Sequence, residues 1–231
     1  MRESGVIRTR RDGDVLAVTL DRPDRRNALT PDALADLERV VTDADAPVAF
    51  LSGAGSAFCA GADLGVVRGL RGDPDAADAF ARRGQRTMNA IEDSDSVVVA
   101  GVDGPARGGG VELVLACDVA VAAPNASFAE TGARIGLFGA WGGTRRLPLA
   151  VGATAARDLS FSARTIDAAE ARDLGLVTRV VDDPRTVAHD IAENDPAALS
   201  ELGTLLRDTT DRAASDDAEA AAFARLLAEP E

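Results

Sequence analysis

Short apolar runs alternate with amphipathic stretches along most of the chain. The runs "VAFLSG" (48–53) and "VVVAGVDG" (97–104) are short and end in glycine, as buried strands often do. The stretch "DALADLERVV" (32–41) has helical periodicity and follows Thr30 and Pro31, which suit the N-cap and the first helical position. This alternation predicts an α/β fold whose apolar strands are covered by helices on both faces.

The pattern changes near residue 185. Residues 186–231 are polar and helical in periodicity, and no strand pattern occurs among them. We therefore expect a core formed by residues 1–185, and a helical region, residues 186–231, that packs on the core or on a neighbouring subunit.

The chain is strongly acidic and contains no lysine. Its 231 residues have a formal net charge of −13, and all 25 basic residues are arginine. The absence of lysine excludes a Walker-type phosphate loop and Schiff-base catalysis. The acidic surface would repel nucleic acid and anionic membranes, so neither is expected as a partner. An Asp-rich surface of this kind is typical of halophilic proteins; genomic drift from lysine to arginine is the alternative.

The histidine and cysteine content argues against a metal centre. One histidine and two distant cysteines, Cys59 and Cys117, cannot supply a structural zinc site, and no metal is expected. Both thiols are expected to be free, and the N-terminal stretch lacks the apolar centre of a signal peptide. No apolar stretch reaches the roughly 18–20 residues that span a bilayer. We therefore expect a cytoplasmic protein.

The stretch "ARGGGVELVLACD" (106–118) joins three glycines to an apolar run that contains one acid, Glu112. Glycines at a helix N-terminus let a ligand approach unpaired backbone N–H groups, which favour a negative oxygen. Glu112 lies nearly one turn after Gly109, and an all-apolar helix is buried, so burial should raise the pKa of Glu112. This arrangement suits the stabilisation of an enolate; a glycine-rich turn with a structurally paired glutamate is the alternative.

Five stretches, taken together, resemble the enoyl-CoA hydratase/isomerase (crotonase) family. They occur in family order over roughly residues 5–185. The resemblance implies a crotonase-type spiral of ββα turns with a C-terminal helical region used in trimerisation, in a homotrimer or hexamer. The stretches are "LDRPDRRNAL" (20–29), "SGAGSAFCAGADL" (52–64), "VVVAGVDGPARGGGVELVLACD" (97–118), "FAETGARIGLFGAWGGTRRLPLAVG" (128–152) and "ARTIDAAEARDLGLVTRVV" (163–181).

The resemblance also implies a site for an acyl-CoA thioester. The backbone amides that match Ala62 and Gly109 would bind the thioester oxygen, and Glu112 would be the acid/base. Coenzyme A enters as part of the substrate, with no tightly bound cofactor. Arg25 and Arg26 could grip its phosphates or be solvated, and Asp63 also suits a helix N-cap. The residues expected to contact substrate or CoA are Asp24, Arg25, Arg26, Ala60, Asp63, Leu64 and Gly108.

The chain departs from the family at the second catalytic glutamate, whose position is occupied by Gly132. Glu130 is the nearest acid, and in an extended strand it would project to the same side as residue 132. A turn near residues 131–133 would instead carry it away. Trp141 could line the acyl pocket or belong to the core.

Three functions remain open on the sequence. The first is hydration or double-bond isomerisation of an enoyl-CoA through an enolate, with a single acid/base glutamate. The second is decarboxylation or hydrolysis of a CoA thioester, for which one carboxylate can suffice. The third is a non-catalytic acyl-CoA-binding protein, which Gly132 favours.

Overall fold

The computed structural model describes residues 3–4, 6–207 and 211–228. Outside the described residues lie Met1, Arg2 and Gly5 of the expected core, and residues 208–210 and 229–231 of the expected helical region. The strands are β1 (Glu3–Ser4), β2 (Ile7–Asp12), β3 (Val15–Leu20), β4 (Val48–Gly53), β5 (Val97–Val102), β6 (Pro105–Arg107), β7 (Val119–Ala122), β8 (Ser127–Ala129), β9 (Ile166–Asp167) and β10 (Arg179–Val180). The helices are α1 (Pro31–Thr42), α2 (Leu64–Gly69), α3 (Pro74–Glu92), α4 (Gly109–Leu115), α5 (Gly143–Ser162), α6 (Ala168–Leu174), α7 (Arg185–Ala192), α8 (Pro196–Arg207) and α9 (Arg212–Ala228).

The strands form a larger and a smaller sheet. The larger has the order β1-β2-β3-β4-β5-β7-β10, and it is parallel from β3 to β10. The smaller has the order β6-β8-β9. Along the chain, β5 enters the larger sheet, β6 the smaller, and α4 follows; β7, β8 and α5 repeat this succession. The predicted α/β spiral of strand–strand–helix turns is confirmed.

Alternation along the central strands explains why their sequences are apolar throughout. In β4, Ala49 and Leu51 face the principal core with α1, α3 and α4, whereas Val48 and Phe50 face a second cluster with α7. Both faces of the strand are therefore covered, as the unbroken run "VAFL" predicts. Each large apolar side chain buried in this way contributes roughly 1.5–3 kcal/mol to stability.

The helix boundaries follow local signals in the sequence. Thr30 caps α1 by accepting a hydrogen bond from the amide of Ala33 at 3.2 Å. Asp167 caps α6 by accepting a hydrogen bond from the amide of Glu170 at 2.8 Å, and Gly175 ends this helix in the left-handed conformation with φ 87°. The described part of the C-terminal region is helical, as predicted, and α7 packs on the larger sheet through Val187 and Ala188.

Candidate active site

A cavity of about 550 Å³ lies between α2, α3, the N-terminus of α4 and the segment 131–141. Its wall is mainly apolar. Among the residues that the structure describes, Glu112 and Arg71 are the ionisable side chains that line it. An apolar cavity with few polar groups is the usual form of a small-molecule site.

Two backbone amides at this cavity lack acceptors. Within the described ranges, neither the amide of Ala62 nor that of Gly109 donates a hydrogen bond. The loops that carry them are in contact, since a Cβ on Gly61 would lie 2.8 Å from the Gly109 nitrogen. Gly61 has φ 82°, which favours glycine, and the contact leaves no room for a side chain. Ala62 and Gly109 both line the cavity.

Glu112 lies one turn into α4 with its carboxylate fixed by the loop that precedes α5. Its side chain is 1% exposed, and Oε1 accepts hydrogen bonds from the amides of Trp141 and Gly143, each at 2.8 Å. No described residue donates a hydrogen bond to Oε2. The carboxylate is thus held through one oxygen and can exchange a proton through the other.

Opposing influences act on the pKa of Glu112. Burial raises this pKa above its ordinary value, while the hydrogen bonds from Gly143 and Trp141 and the charge of Arg146 offset part of the increase. A carboxyl group whose pKa is raised can both accept and donate a proton more readily near neutral pH.

Two glycines that the sequence reasoning missed make room for this carboxylate. A Cβ on Gly139 would lie 2.7 Å from Cδ of Glu112, and one on Gly143 would lie 2.8 Å from its Cγ. No side chain fits at either position without moving Glu112. The glycine-rich run "FGAWGG" (138–143) is the sequence signal for these two glycines, but only the fold shows that they lie against Glu112.

Glu130 does not line the large cavity. The chain turns immediately after β8, where residues 132–135 form a short 3-10 helix. Glu130 lies instead against a small apolar cavity bordered by Val111, Leu147 and Ile166, and none of the described residues forms a hydrogen bond with its buried Oε1. Burial, and then the charge of Glu112, raise the pKa of Glu130 to about 8.

Gly132 does line the large cavity, but the space beside it is filled. A Cβ built there would lie 2.8 Å from Cα of Phe138 and 3.0 Å from the carbonyl carbon of Leu137. The backbone of residues 137–138 therefore occupies the direction in which a second glutamate would project.

The loop with Asp24, Arg25 and Arg26 is exposed at the surface and does not line the cavity. It is tied to the cavity wall by a hydrogen bond of 2.9 Å from the amide of Ala60 to the carbonyl of Arg26. Ala60, Leu64 and Gly108 themselves line the cavity.

Asp63 caps α2 and anchors the same loop. It accepts hydrogen bonds from Gly65 at 2.8 Å and Val66 at 3.4 Å, and it pairs with Arg22 at 3.4 Å. Burial alone would raise the pKa of Asp63, but these bonds and the charges of Arg22 and Arg25 bring it below its ordinary value. The N-cap role is confirmed, and Arg22 is a partner that the sequence reasoning missed.

Asn27 was also missed, although it organises the loop. It is 1% exposed, with φ 57°, and its Nδ2 donates to the carbonyl oxygens of Ala54, Ala57 and Phe58. A buried asparagine in the left-handed region is uncommon, and here its bonds hold residues 54–58 against the loop.

Trp141 belongs both to the core and to the cavity wall. It is 3% exposed, and its ring packs edge-to-face on Phe80 with centroids 5.6 Å apart. The ring lies against Gly84 and Gly109, where a Cβ on either glycine would overlap it. Gly84, a weak helix former inside α3, is therefore required for packing.

The spiral of strand–strand–helix turns with a helical C-terminal region is the crotonase fold, which the solved enoyl-CoA hydratases described below share. The sequence model of the enoyl-CoA hydratase/isomerase family matches residues 10–226. The chain therefore belongs to the enoyl-CoA hydratase/isomerase family.

Individual relatives agree with this assignment. The short-chain-enoyl-CoA hydratase of Clostridium acetobutylicum is 33% identical over 200 residues, which are 82% of this chain and 76% of the relative. A probable enoyl-CoA hydratase of Mycobacterium tuberculosis is 37% identical over 195 residues, covering 83% of this chain and 75% of that protein.

Solved structures are similar over nearly the whole chain. The enoyl-CoA hydratase of Thermoplasma volcanium has a TM-score of 0.91 at 30% identity, covering 99% of this chain and 94% of that chain. The enoyl-CoA hydratase of Bacillus anthracis has a TM-score of 0.90 at 31% identity, covering 96% of this chain and 91% of that chain.

Proposed function

We propose that this enzyme hydrates an enoyl-CoA thioester or moves its double bond, with Glu112 as its single acid/base. The observation that carries the proposal is the juxtaposition of unpaired amides at Ala62 and Gly109 with the carboxylate of Glu112 on one cavity. The relatives named as enoyl-CoA hydratases support the substrate class.

The two amides would form an oxyanion hole. As a proton leaves C2 or a nucleophile adds at C3, negative charge develops on the thioester oxygen, and preset N–H donors stabilise that charge. Loss of one such donor typically costs about 10²–10³ in rate. Because neither amide has a hydrogen-bond acceptor among the described residues, binding the oxygen would break no bond that the structure shows.

Glu112 would carry out every proton transfer in either reaction. In isomerisation of a 3-enoyl thioester, its carboxylate removes a proton from C2 to give the enolate and then returns that proton to C4. In hydration, the carboxylate removes a proton from water while the oxygen bonds to C3, and it then protonates C2. Both routes use one carboxyl group twice, and the filled space beside Gly132 supports a mechanism with a single acid/base.

Coenzyme A would extend from the cavity toward the exposed loop of Asp24, Arg25 and Arg26. Ala60, Asp63, Leu64 and Gly108 would line or brace its path. A guanidinium group binds phosphate in bidentate fashion, and Arg25 and Arg26 are exposed and available for it.

Incubation with 2-enoyl- and 3-enoyl-CoA in heavy-oxygen water, at low and high salt, tests the reaction. Hydration gives a labelled 3-hydroxyacyl product, whereas isomerisation gives an unlabelled product with a shifted double bond. Free CoA or carbon dioxide would instead identify a hydrolase or decarboxylase. Tight thioester binding in calorimetry without turnover would identify a non-catalytic binder.

We further propose that residues 186–231 serve assembly, as a trimer or a pair of trimers. Leu202, Leu206, Phe223 and Leu227 are more than half exposed on α8 and α9, and burial between subunits would remove them from water. Light scattering in low and in molar salt measures the mass of the assembly and tests whether the acidic chain assembles better at high salt. The free thiols Cys59 and Cys117 are consistent with a reducing cytoplasm.

A further inference from the structure

The loop of residues 139–143, which holds Glu112, is itself held from the opposite side by α3 and α5. Gln85 on α3 donates from Nε2 to the carbonyl of Ala140 at 2.9 Å. Arg146 on α5 donates from Nη1 to the carbonyl of Trp141 at 3.1 Å. The carbonyls of two consecutive residues are therefore fixed by side chains, while the amides of Trp141 and Gly143 bind Glu112.

Arg146 is a buried cation whose bonds serve this loop. It is 4% exposed, and it donates to Asn89 at 2.8 Å and to Glu92 at 2.5 Å. A buried charge is costly unless it is fully paired, and α3 supplies both partners. Its guanidinium fills the place of a Cβ at Gly142, where φ is 104°.

We propose that Arg146 is a positioning residue for Glu112. This inference rests on the proposed function, since it assigns the acid/base to Glu112. Arg146 fixes the peptide plane that follows Trp141 by binding its carbonyl. Gln85 fixes the preceding plane, which contains the Trp141 amide that donates to Oε1 of Glu112. Arg146 therefore restrains the loop directly after this donor and before the second donor, Gly143. The bonds from α3 to Arg146, from Arg146 to the loop and from the loop to Glu112 form one continuous chain.

Two charged groups, Arg146 and Glu130, act on Glu112 from the elements around it. The charge of Arg146 lowers the pKa of Glu112, and the charges of Glu130 and Glu112 repel each other when both are ionised. Removing Arg146 therefore loosens the two amide donors and also removes a charge that favours the ionised form of Glu112.

Arg145 provides a matched control. It binds the same Glu92 oxygen at 2.6 Å, but its side chain is 55% exposed and donates no hydrogen bond to the described loop residues 139–143. The backbone amides of Arg145 and Arg146 both donate to the carbonyl of Gly142, and neither substitution removes these bonds. Arg146→Gln and Arg145→Gln thus each remove one positive charge from the same ion pair, and only the first removes a contact with residue 141.

The experiment measures kcat, KM and the pH profile of enoyl-CoA turnover for both variants. Arg146→Gln should lower kcat about 10- to 100-fold, change KM less than about threefold and move the acidic limb of the kcat profile to higher pH. Arg145→Gln should stay within about twofold of the wild type. Equal effects of the two variants, or a loss confined to KM, would overturn the proposal.

Amide hydrogen exchange in the substrate-free protein keeps the proposal testable if no thioester is turned over. Exchange at Trp141 and Gly143 should be faster in Arg146→Gln than in Arg145→Gln. Gln85→Ala, which removes an exposed side chain, should increase the exchange rate at these amides less than Arg146→Gln does. It replaces Arg146→Gln as the test variant if Arg146→Gln does not fold. Unchanged exchange at both amides in folded variants contradicts the positioning role, whatever the reaction proves to be.

Discussion

Glu112 and Glu130 are both buried glutamates, but the protein surrounds them differently. Glu112 faces the large cavity, and two backbone amides at 2.8 Å and the charge of Arg146 counter its burial. Glu130 faces a small apolar cavity, its Oε1 has no hydrogen-bond partner in the described part of the chain, and its pKa is raised to about 8. Burial beside another acid, without donors, therefore makes Glu130 neutral at pH 7, whereas burial with directed donors leaves Glu112 able to exchange protons.

The strongest test of this contrast is Glu112→Gln. Glutamine keeps the shape and can still accept from Trp141 and Gly143, but it cannot take up a proton. Turnover of an enoyl-CoA should fall about 10²–10⁴-fold, while the Kd of the thioester, measured by calorimetry, should change little. A rate close to that of the wild type would remove Glu112 from the mechanism.

Gly139→Ala should have the next largest effect on rate. The new Cβ would lie 2.7–3.0 Å from the carboxylate atoms of Glu112 and must displace them. We expect kcat to fall about tenfold, because small displacements of a catalytic group are costly. Gly69→Ala is the control, since a Cβ there meets nothing within 4 Å. Equal kcat values for the two alanine variants would mean that Glu112 tolerates displacement.

Glu130→Gln should leave kcat at pH 7 within about twofold and act on stability instead. Between pH 4.5 and about 8 the folded protein retains a proton on Glu130 that the unfolded chain releases. The wild type therefore loses stability relative to the variant as pH rises, by up to about 1.4 kcal/mol per pH unit.

Denaturant unfolding of both proteins across this pH range measures the difference. The free energy of unfolding of Glu130→Gln minus that of the wild type should increase steadily with pH and level off above about pH 8. A difference that does not vary with pH, or a large loss of kcat, would show that Glu130 has been assigned the wrong role.

Local signals in the sequence were sufficient for much of the fold. The Thr30 cap, the unbroken apolar run "VAFL" and the Gly175 terminus are each signalled by the residues of their own stretch. The burial of Glu112 also followed from its all-apolar helix, because an apolar surface on every side leaves no solvent-facing side.

The hydrogen bonds that hold Glu112 and Arg146 in place could not be predicted from local signals. Glu112 is bound by amides about 30 residues later in the chain, and Arg146 by Asn89 and Glu92 of α3. Such bonds depend on which helix packs beside which loop, and "FGAWGG" has no periodicity that reveals its partner. Glu130 was similarly ambiguous, since a turn of a few residues after β8 decides which cavity it faces.

Vibrational difference spectroscopy of a bound enoyl-CoA, isotopically labelled at the thioester carbonyl, tests the central claim most directly. If the amides of Ala62 and Gly109 both donate to that oxygen, the carbonyl stretch should shift to lower frequency than in free thioester, in Glu112→Gln as well as in the wild type. A bound thioester whose carbonyl frequency equals that in water would contradict the account.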